Sequence, residues 1–147
     1  CQGRAYGGGR SLMVDTLNFD LVSPERSVAS FSATEVQIPG SEGEMTVMPN
    51  HALVLTTLRP GVLSVGSVDG VTDYVVTGGF AEVTASGVTV LAERAIKKSD
   101  ITQSDLNGII SSFKAALDNA TEEMHDAASK AYADVIALAA ELGMSAA

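Results

Sequence analysis

The stretch Ala95-Ile96-Lys97-Lys98-Ser99-Asp100-Ile101-Thr102-Gln103-Ser104-Asp105-Leu106 is where the chain changes character. All four prolines lie before Ser99, and of the fourteen glycines only Gly108 and Gly143 lie after it. Beyond Ser99 the sequence turns to alanine at helical spacing. Proline and glycine punctuate turns and are disfavoured inside helices, so this seam predicts a strand-rich body, residues 13–98, followed by a helical tail, residues 99–147.

Upstream of the seam the apolar residues alternate. Leu17, Phe19 and Leu21 are interleaved with Asn18 and Asp20, and the same period of two recurs at Val36/Ile38, Met45/Val47, Leu63/Val65, Tyr74/Val76 and Val88/Val90. Alternation places one face of a strand on a core and the other in water. Turn signals at Pro39-Gly40, Pro49-Asn50, Pro60-Gly61, Asp69-Gly70, Gly78-Gly79 and Ser86-Gly87 separate these runs at the spacing short antiparallel strands require. The expected body has about eight to ten short strands folded as a β-sandwich or flattened barrel. The alternative is an ordinary α+β domain with a few hairpins.

Downstream, Leu106, Ile110, Phe113, Leu117, Met124, Ala128, Ala131, Val135, Leu138 and Leu142 recur in steps of three, four or seven, a single apolar helix seam. Thr102 stands three residues before Asp105 and predicts an N-cap. Asn119 is expected to end a first helix and Thr121 to cap a second, with Glu122 and Glu123 in its first turn. An antiparallel helical hairpin follows. Because Ala120 carries the seam through without proline or glycine, one long helix is the competing arrangement.

The chain has 147 residues and a formal net charge of −9, enough length for one sizeable core and too little basic charge to make nucleic acid a main partner. Uncharged apolar runs such as Ala52 to Leu58 fall far short of the roughly 20 residues that span a bilayer. Residues 1–12, with the single cysteine Cys1, show no signal-peptide run and no strand or helix period. They read as a disordered prefix, an added remnant or a misplaced start ahead of Met13. One cysteine excludes a disulfide framework, and a reducing cytoplasm is the default compartment.

Chemistry is sparse. His51 follows Pro49-Asn50 without a second histidine or cysteine at ligand spacing, so it reads as a turn or interface residue rather than a metal ligand. Gly40-Ser41-Glu42-Gly43-Glu44 lacks the lysine and helix start of a phosphate loop and reads as an exposed acidic hairpin tip, either solvated or docked on a partner. Arg94, Lys97 and Lys98 read as a solvated linker. No convergent set of titratable groups supports a catalytic, cofactor or metal site.

In order along the chain, Gly40-Ser41-Glu42-Gly43-Glu44, Val47-Met48-Pro49-Asn50-His51-Ala52, Leu58-Arg59-Pro60-Gly61, Gly78-Gly79-Phe80-Ala81-Glu82-Val83 and Val88-Thr89-Val90-Leu91-Ala92-Glu93-Arg94-Ala95 resemble the epsilon subunits of F-type ATP synthases. The resemblance runs from about Leu17 to the end of the chain. It implies a β-sandwich with a C-terminal helical hairpin, acting as a non-catalytic part of the rotating central stalk between the gamma subunit and the c ring. That places it peripherally on the cytoplasmic face of the inner membrane. By position, Ser41, Glu42, Gly43 and Glu44 would meet the polar loops of the c ring, and His51 would lie against gamma.

Some members of that family extend the tail beside gamma, toward the alpha and beta subunits, to brake ATP hydrolysis, and some bind ATP at a motif resembling Ile/Leu-Asp-x-x-Arg-Ala. Here the matching stretch is Ile101-Thr102-Gln103-Ser104-Asp105-Leu106, with Thr102 for the acidic residue and Asp105 for the arginine. An aspartate repels phosphate, so no nucleotide cofactor is expected. The tail from Thr121 onward carries Glu122, Glu123, Asp126, Asp134 and Glu141 against Lys130, a poor match to an acidic docking segment, so weak or absent self-inhibition is expected. A stand-alone β-sandwich that binds a ligand, or a scaffold with a helical interaction tail, is the alternative from another class.

Overall fold

The computed structural model describes residues 16–49 and 53–144. The expected prefix, residues 1–12, and His51 lie outside the described residues. Ten strands run in order: β1 Leu17–Ser23, β2 Arg26–Ala33, β3 Glu35–Gly40, β4 Gly43–Val47, β5 Val54–Thr57, β6 Gly61–Ser67, β7 Gly70–Val76, β8 Gly79–Val83, β9 Gly87–Ala92 and β10 Ala95–Lys97. A 3₁₀ turn at Lys98–Asp100 leads into α1, Gln103–Asp118, and then α2, His125–Glu141.

The strands form two five-stranded sheets, ordered β2-β1-β9-β8-β5 and β10-β7-β6-β3-β4. All named pairings are antiparallel except β1 with β9, which run parallel with Phe19 opposite Val88. The sandwich expectation holds. Alternating residues supply the core between the sheets: Phe19, Leu21, Val36, Ile38, Val47, Leu63, Val65, Val76, Val83 and Val90 are buried there. Phe19 anchors it, with its ring 5.4 Å from Phe31 and 6.4 Å from Tyr74. Burial pushes the Tyr74 phenol above its ordinary pKa, because the charged form would lose its hydration.

In β7 the alternation gives way to a continuous buried run, Tyr74-Val75-Val76. Tyr74 and Val76 point into the sandwich, whereas Val75 points outward, into a second core beneath the helices. Val62, Val75 and Ile96 are register partners across β6, β7 and β10, forming one apolar row on that outer face. Leu106, Ile109 and Ile110 of α1 and Val135, Leu138 and Ala139 of α2 pack into the same core. The second sheet is therefore covered on both faces, which is what fills β7 with apolar residues on both sides.

The helical hairpin is present, with α1 packed on α2. Thr102 caps α1 in a reciprocal box: its hydroxyl accepts from the Asp105 backbone N–H at 3.1 Å, and the Asp105 carboxylate accepts from the Thr102 N–H at 3.0 Å. Asn119 ends α1, its side-chain amide donating to the Ala115 carbonyl at 2.9 Å.

Two expectations are corrected. Thr121 does not open α2. Its hydroxyl accepts from the Met124 N–H at 3.3 Å in an intervening turn, so Glu122 and Glu123 precede the helix, which starts at His125. Met124 is accordingly 56% exposed, and the apolar seam stops at the bend instead of running through it. Pro39-Gly40 is also not a turn but the end of β3, paired Pro39 to Glu44 and Gly40 to Gly43, with the reversal at Ser41-Glu42. The Pro39 carbonyl accepts from the Arg59 N–H at 2.9 Å on the side away from β4. The proline nitrogen faces that side too, so the β3–β4 ladder loses no bond.

Replacing Thr102 with Ala removes one arm of the capping box and is expected to weaken α1 by about 1 kcal/mol, read as faster hydrogen exchange of the α1 amides while the β-strand amides keep their protection.

Candidate docking surface

The β3–β4 hairpin projects Ser41 and Glu42 at its apex. Gly43 closes the two-residue turn at φ 133°, a backbone region that side-chain-bearing residues rarely enter. Glu42, Gly43 and Glu44 are exposed and Ser41 is half-buried. The expected tip residues therefore do come together at one end of the sandwich.

The tip is tied to the segment that carries the chain from one sheet to the other. The Ser41 N–H donates to the Thr57 carbonyl at 2.9 Å, and the Ser41 and Thr57 hydroxyls share a hydrogen bond of 2.7 Å. The Arg59 Nε donates to the Gly40 carbonyl at 3.2 Å, and its Nη2 stands 3.5 Å from Glu44 Oε2. Glu44 is thus partly neutralised from within the fold. Glu42 forms no ion pair among the described residues and stands as the free charge of the apex.

Directly beside the tip lies an exposed apolar surface that sequence reasoning missed. On the outer face of the first sheet, Phe80 of β8 is opposite Thr57 of β5 and Leu91 of β9, and Leu91 is opposite Val22 of β1. Leu55, diagonal to Phe80, completes the surface, and Leu53 flanks it. Leu53 is 76% exposed, Leu55 70%, Phe80 43% and Leu91 39%. Contiguous exposed apolar side chains of this kind mark interaction sites in soluble proteins. An open cleft of about 550 Å³ runs along its edge between Val22, Pro24, Phe80 and Leu91. Glu82, Thr89 and Asp20 follow on the same face as a polar rim. The sequence signal was Leu53 and Leu55 interleaved with Val54 and Thr56, apolar on both faces of a strand that has only one core to face.

The basic cluster at the seam does not converge. Lys97 and Lys98 line one cleft of about 530 Å³, where Lys98 Nζ lies 3.9 Å from Asp73 Oδ2, but Arg94 does not join them. The Arg94 guanidinium reaches instead over α1, where Nη1 is 3.9 Å from where a Cβ on Gly108 would stand. Among the described residues no group of three or more His, Cys, Asp or Glu could hold a metal ion. None of the described helices is long and apolar enough to cross a membrane.

These features define a class: a two-sheet sandwich with an appended helical hairpin, bearing an exposed acidic hairpin tip beside an exposed apolar sheet face. Residues 16–98 match the family described as the beta-sandwich domain of the ATP synthase delta/epsilon chain. The chain is 50% identical over 137 residues to the ATP synthase epsilon chain of Ruegeria sp. (strain TM1040), covering 90% of this chain and 100% of that one. It is 47% identical to that of Rhodobacter capsulatus, with the same coverage, and 41% identical to that of Paracoccus denitrificans over 90% and 94% of the two chains. The fold is also found in a Euglena gracilis mitochondrial ATP synthase structure of OSCP, F1 and c ring, with TM-score 0.67, 23% identity, and 97% and 91% of the two chains covered. A Tetrahymena thermophila central-stalk and c-ring structure gives TM-score 0.59 and 14% identity, over 86% and 96%. The chain belongs to the epsilon-chain family of the ATP synthase.

Gly79 opens β8 at φ 113°, and a side chain there would collide with the Leu91 carbonyl on the neighbouring strand. Gly79→Ala is expected to cost about 3 kcal/mol or more in urea unfolding, because it adds backbone strain to a clash that parts β8 from β9.

Proposed function

We propose that this chain is a non-catalytic central-stalk subunit that joins gamma to the c ring, with its apolar sheet face on gamma and its acidic tip against polar loops of the ring. The observation that carries this reading is that the two surfaces meet at one end of the sandwich, linked through Thr57. The apolar face suits a permanent partner, which would take Leu55, Phe80 and Leu91 out of water. The exposed Glu42 suits a polar surface, where charge complementarity sets register more than affinity. Family membership supports the same assignment, and with it a peripheral position on the cytoplasmic face of the inner membrane. His51, in the segment just before Leu53, would extend the gamma-facing surface.

The reading predicts that Phe80→Asp weakens capture of gamma by the full chain at least about tenfold, since an unpaired charge buried at the interface costs several kcal/mol. Capture at full strength would overturn the assignment of that face.

The tail is assigned a structural role, with weak or absent braking and no nucleotide site. Thr102 and Asp105, which hold the positions of the acidic residue and arginine in the nucleotide motif, bond each other in the capping box. An Asp105 carboxylate so placed repels phosphate. The exposed acidic residues Glu122, Glu123 and Asp126 around the bend are poorly suited to acidic surfaces of the alpha and beta subunits. Deleting Ser99 to Ala147 is expected to leave ATP hydrolysis by the assembled complex nearly unchanged. A large rise in hydrolysis would restore the tail as a brake on the catalytic subunits.

A further inference from the structure

We infer that Arg59, together with the Ser41–Thr57 hydroxyl pair, is the positioning device that holds the β3–β4 tip rigid against both sheets, so that a turning load applied at the tip passes into β5 and β6. This rests on the reading of the tip as the surface that meets the ring.

A two-residue hairpin standing alone at the edge of a sheet would bend under a sideways load, because only the β3–β4 ladder would resist it. Here the β3 end and the apex are also held along the other edge of β3, by the segment that leaves β5. Gly40 forms an isolated antiparallel bridge with Leu58, outside the regular pairing. On one side of that bridge Ser41 is bonded to Thr57 through main chain and hydroxyl; on the other, the Arg59 N–H donates to Pro39 and the Arg59 Nε to Gly40. Thr57 ends β5 in the first sheet, and Gly61 begins β6 in the second. The segment Thr57–Gly61 is therefore the strand switch of the sandwich, and the tip is clasped to it.

Arg59 is suited to this place by the shape of its side chain. The guanidinium presents Nε to the Gly40 carbonyl and Nη2 to Glu44, so one planar group grips both limbs of the hairpin. A lysine ammonium, a single compact charge, can reach Glu44 without offering a second donor in fixed orientation to Gly40. Glu44 is exposed and Arg59 half-buried, so solvent screens the pair and it contributes little to stability. Its effect is on geometry and on which carboxylate remains free at the apex.

The test uses the assembled ATP synthase in inverted membrane vesicles. Arg59→Gln combined with Thr57→Val is expected to lower the ratio of ATP-driven proton pumping to ATP hydrolysis several-fold. Arg59→Lys alone should fall between the double variant and the unaltered chain. Thermal unfolding of the full chain checks that the sandwich remains folded. A Glu42→Cys probe, cross-linked to single cysteines along the polar loop of the ring, reports where the tip sits; in the double variant its yield should fall and spread over neighbouring loop positions. An unchanged pumping ratio with an unchanged cross-link pattern overturns the clasp and leaves ring docking standing. No cross-link from the otherwise unaltered chain removes ring docking, and the clasp with it.

Discussion

The structure depends on one wall with two wet-side problems solved at once. The second sheet, β10-β7-β6-β3-β4, has the sandwich core on one face and the helical hairpin on the other, and β7 contributes to both through Tyr74, Val75 and Val76. Complete burial of a valine side chain contributes about 1.5–3 kcal/mol, whereas an exposed ion pair contributes about 0–1. The row Val62–Val75–Ile96 therefore outweighs any surface charge pair in deciding where the tail rests. It also explains why the hairpin is short of apolar residues near its bend: α1 and α2 are held at the seam end, where Ile101, Leu106, Leu138 and Leu142 meet the row, and the turn around Met124 projects into water.

The first sheet has the opposite arrangement. Its inner face closes the same core, but among the described residues nothing covers Leu55, Phe80 and Leu91 on its outer face. The two sheets are thus alike in apolar content and unlike in who covers them: the tail covers one, and a partner is proposed to cover the other. The strand switch from Thr57 to Gly61 joins these two environments, and the acidic tip is bonded to it.

Most of the sandwich was legible in the sequence because its strands alternate cleanly. β1, β3, β4, β6 and β9 carry the period of two with the expected inward residues, and in β7 Tyr74 and Val76 point inward as expected while Val75 between them is buried on the other face. β2 was not legible, since Arg26-Ser-Val-Ala-Ser-Phe-Ser-Ala mixes small and polar residues on both faces of a strand at the sheet edge. The position of the tip was legible from its glycines and carboxylates. Its reversal lay two residues beyond Pro39-Gly40, because proline can end an antiparallel strand when its nitrogen faces away from the ladder. The clasp was hidden, since the link between Ser41 and Thr57 depends on how two sheets pack and not on any local pattern. The apolar face was hidden for a different reason: outward Leu55 and inward Val54 look alike in sequence until the partner strand shows which side holds the core. The start of α2 was misread because Thr121 can cap a single turn as readily as a helix.

The parallel pairing of β1 with β9 sets the order in which the molecule can come into being. Phe19 finds its neighbour Val88 only after nearly the whole body has been made, and β8, which holds Phe80, lies on the far side of β9. The β1–β2 hairpin emerging first has no sheet to join and must wait beside an unfinished core. Closure through so distant a contact carries a high loop cost and places the chain among slower folders. The tail, emerging last, meets Val75 only once β7 and β10 are in place. It therefore acts as a seal on a completed sandwich, and an unfinished one presents an uncovered apolar row to the quality-control machinery of the cell.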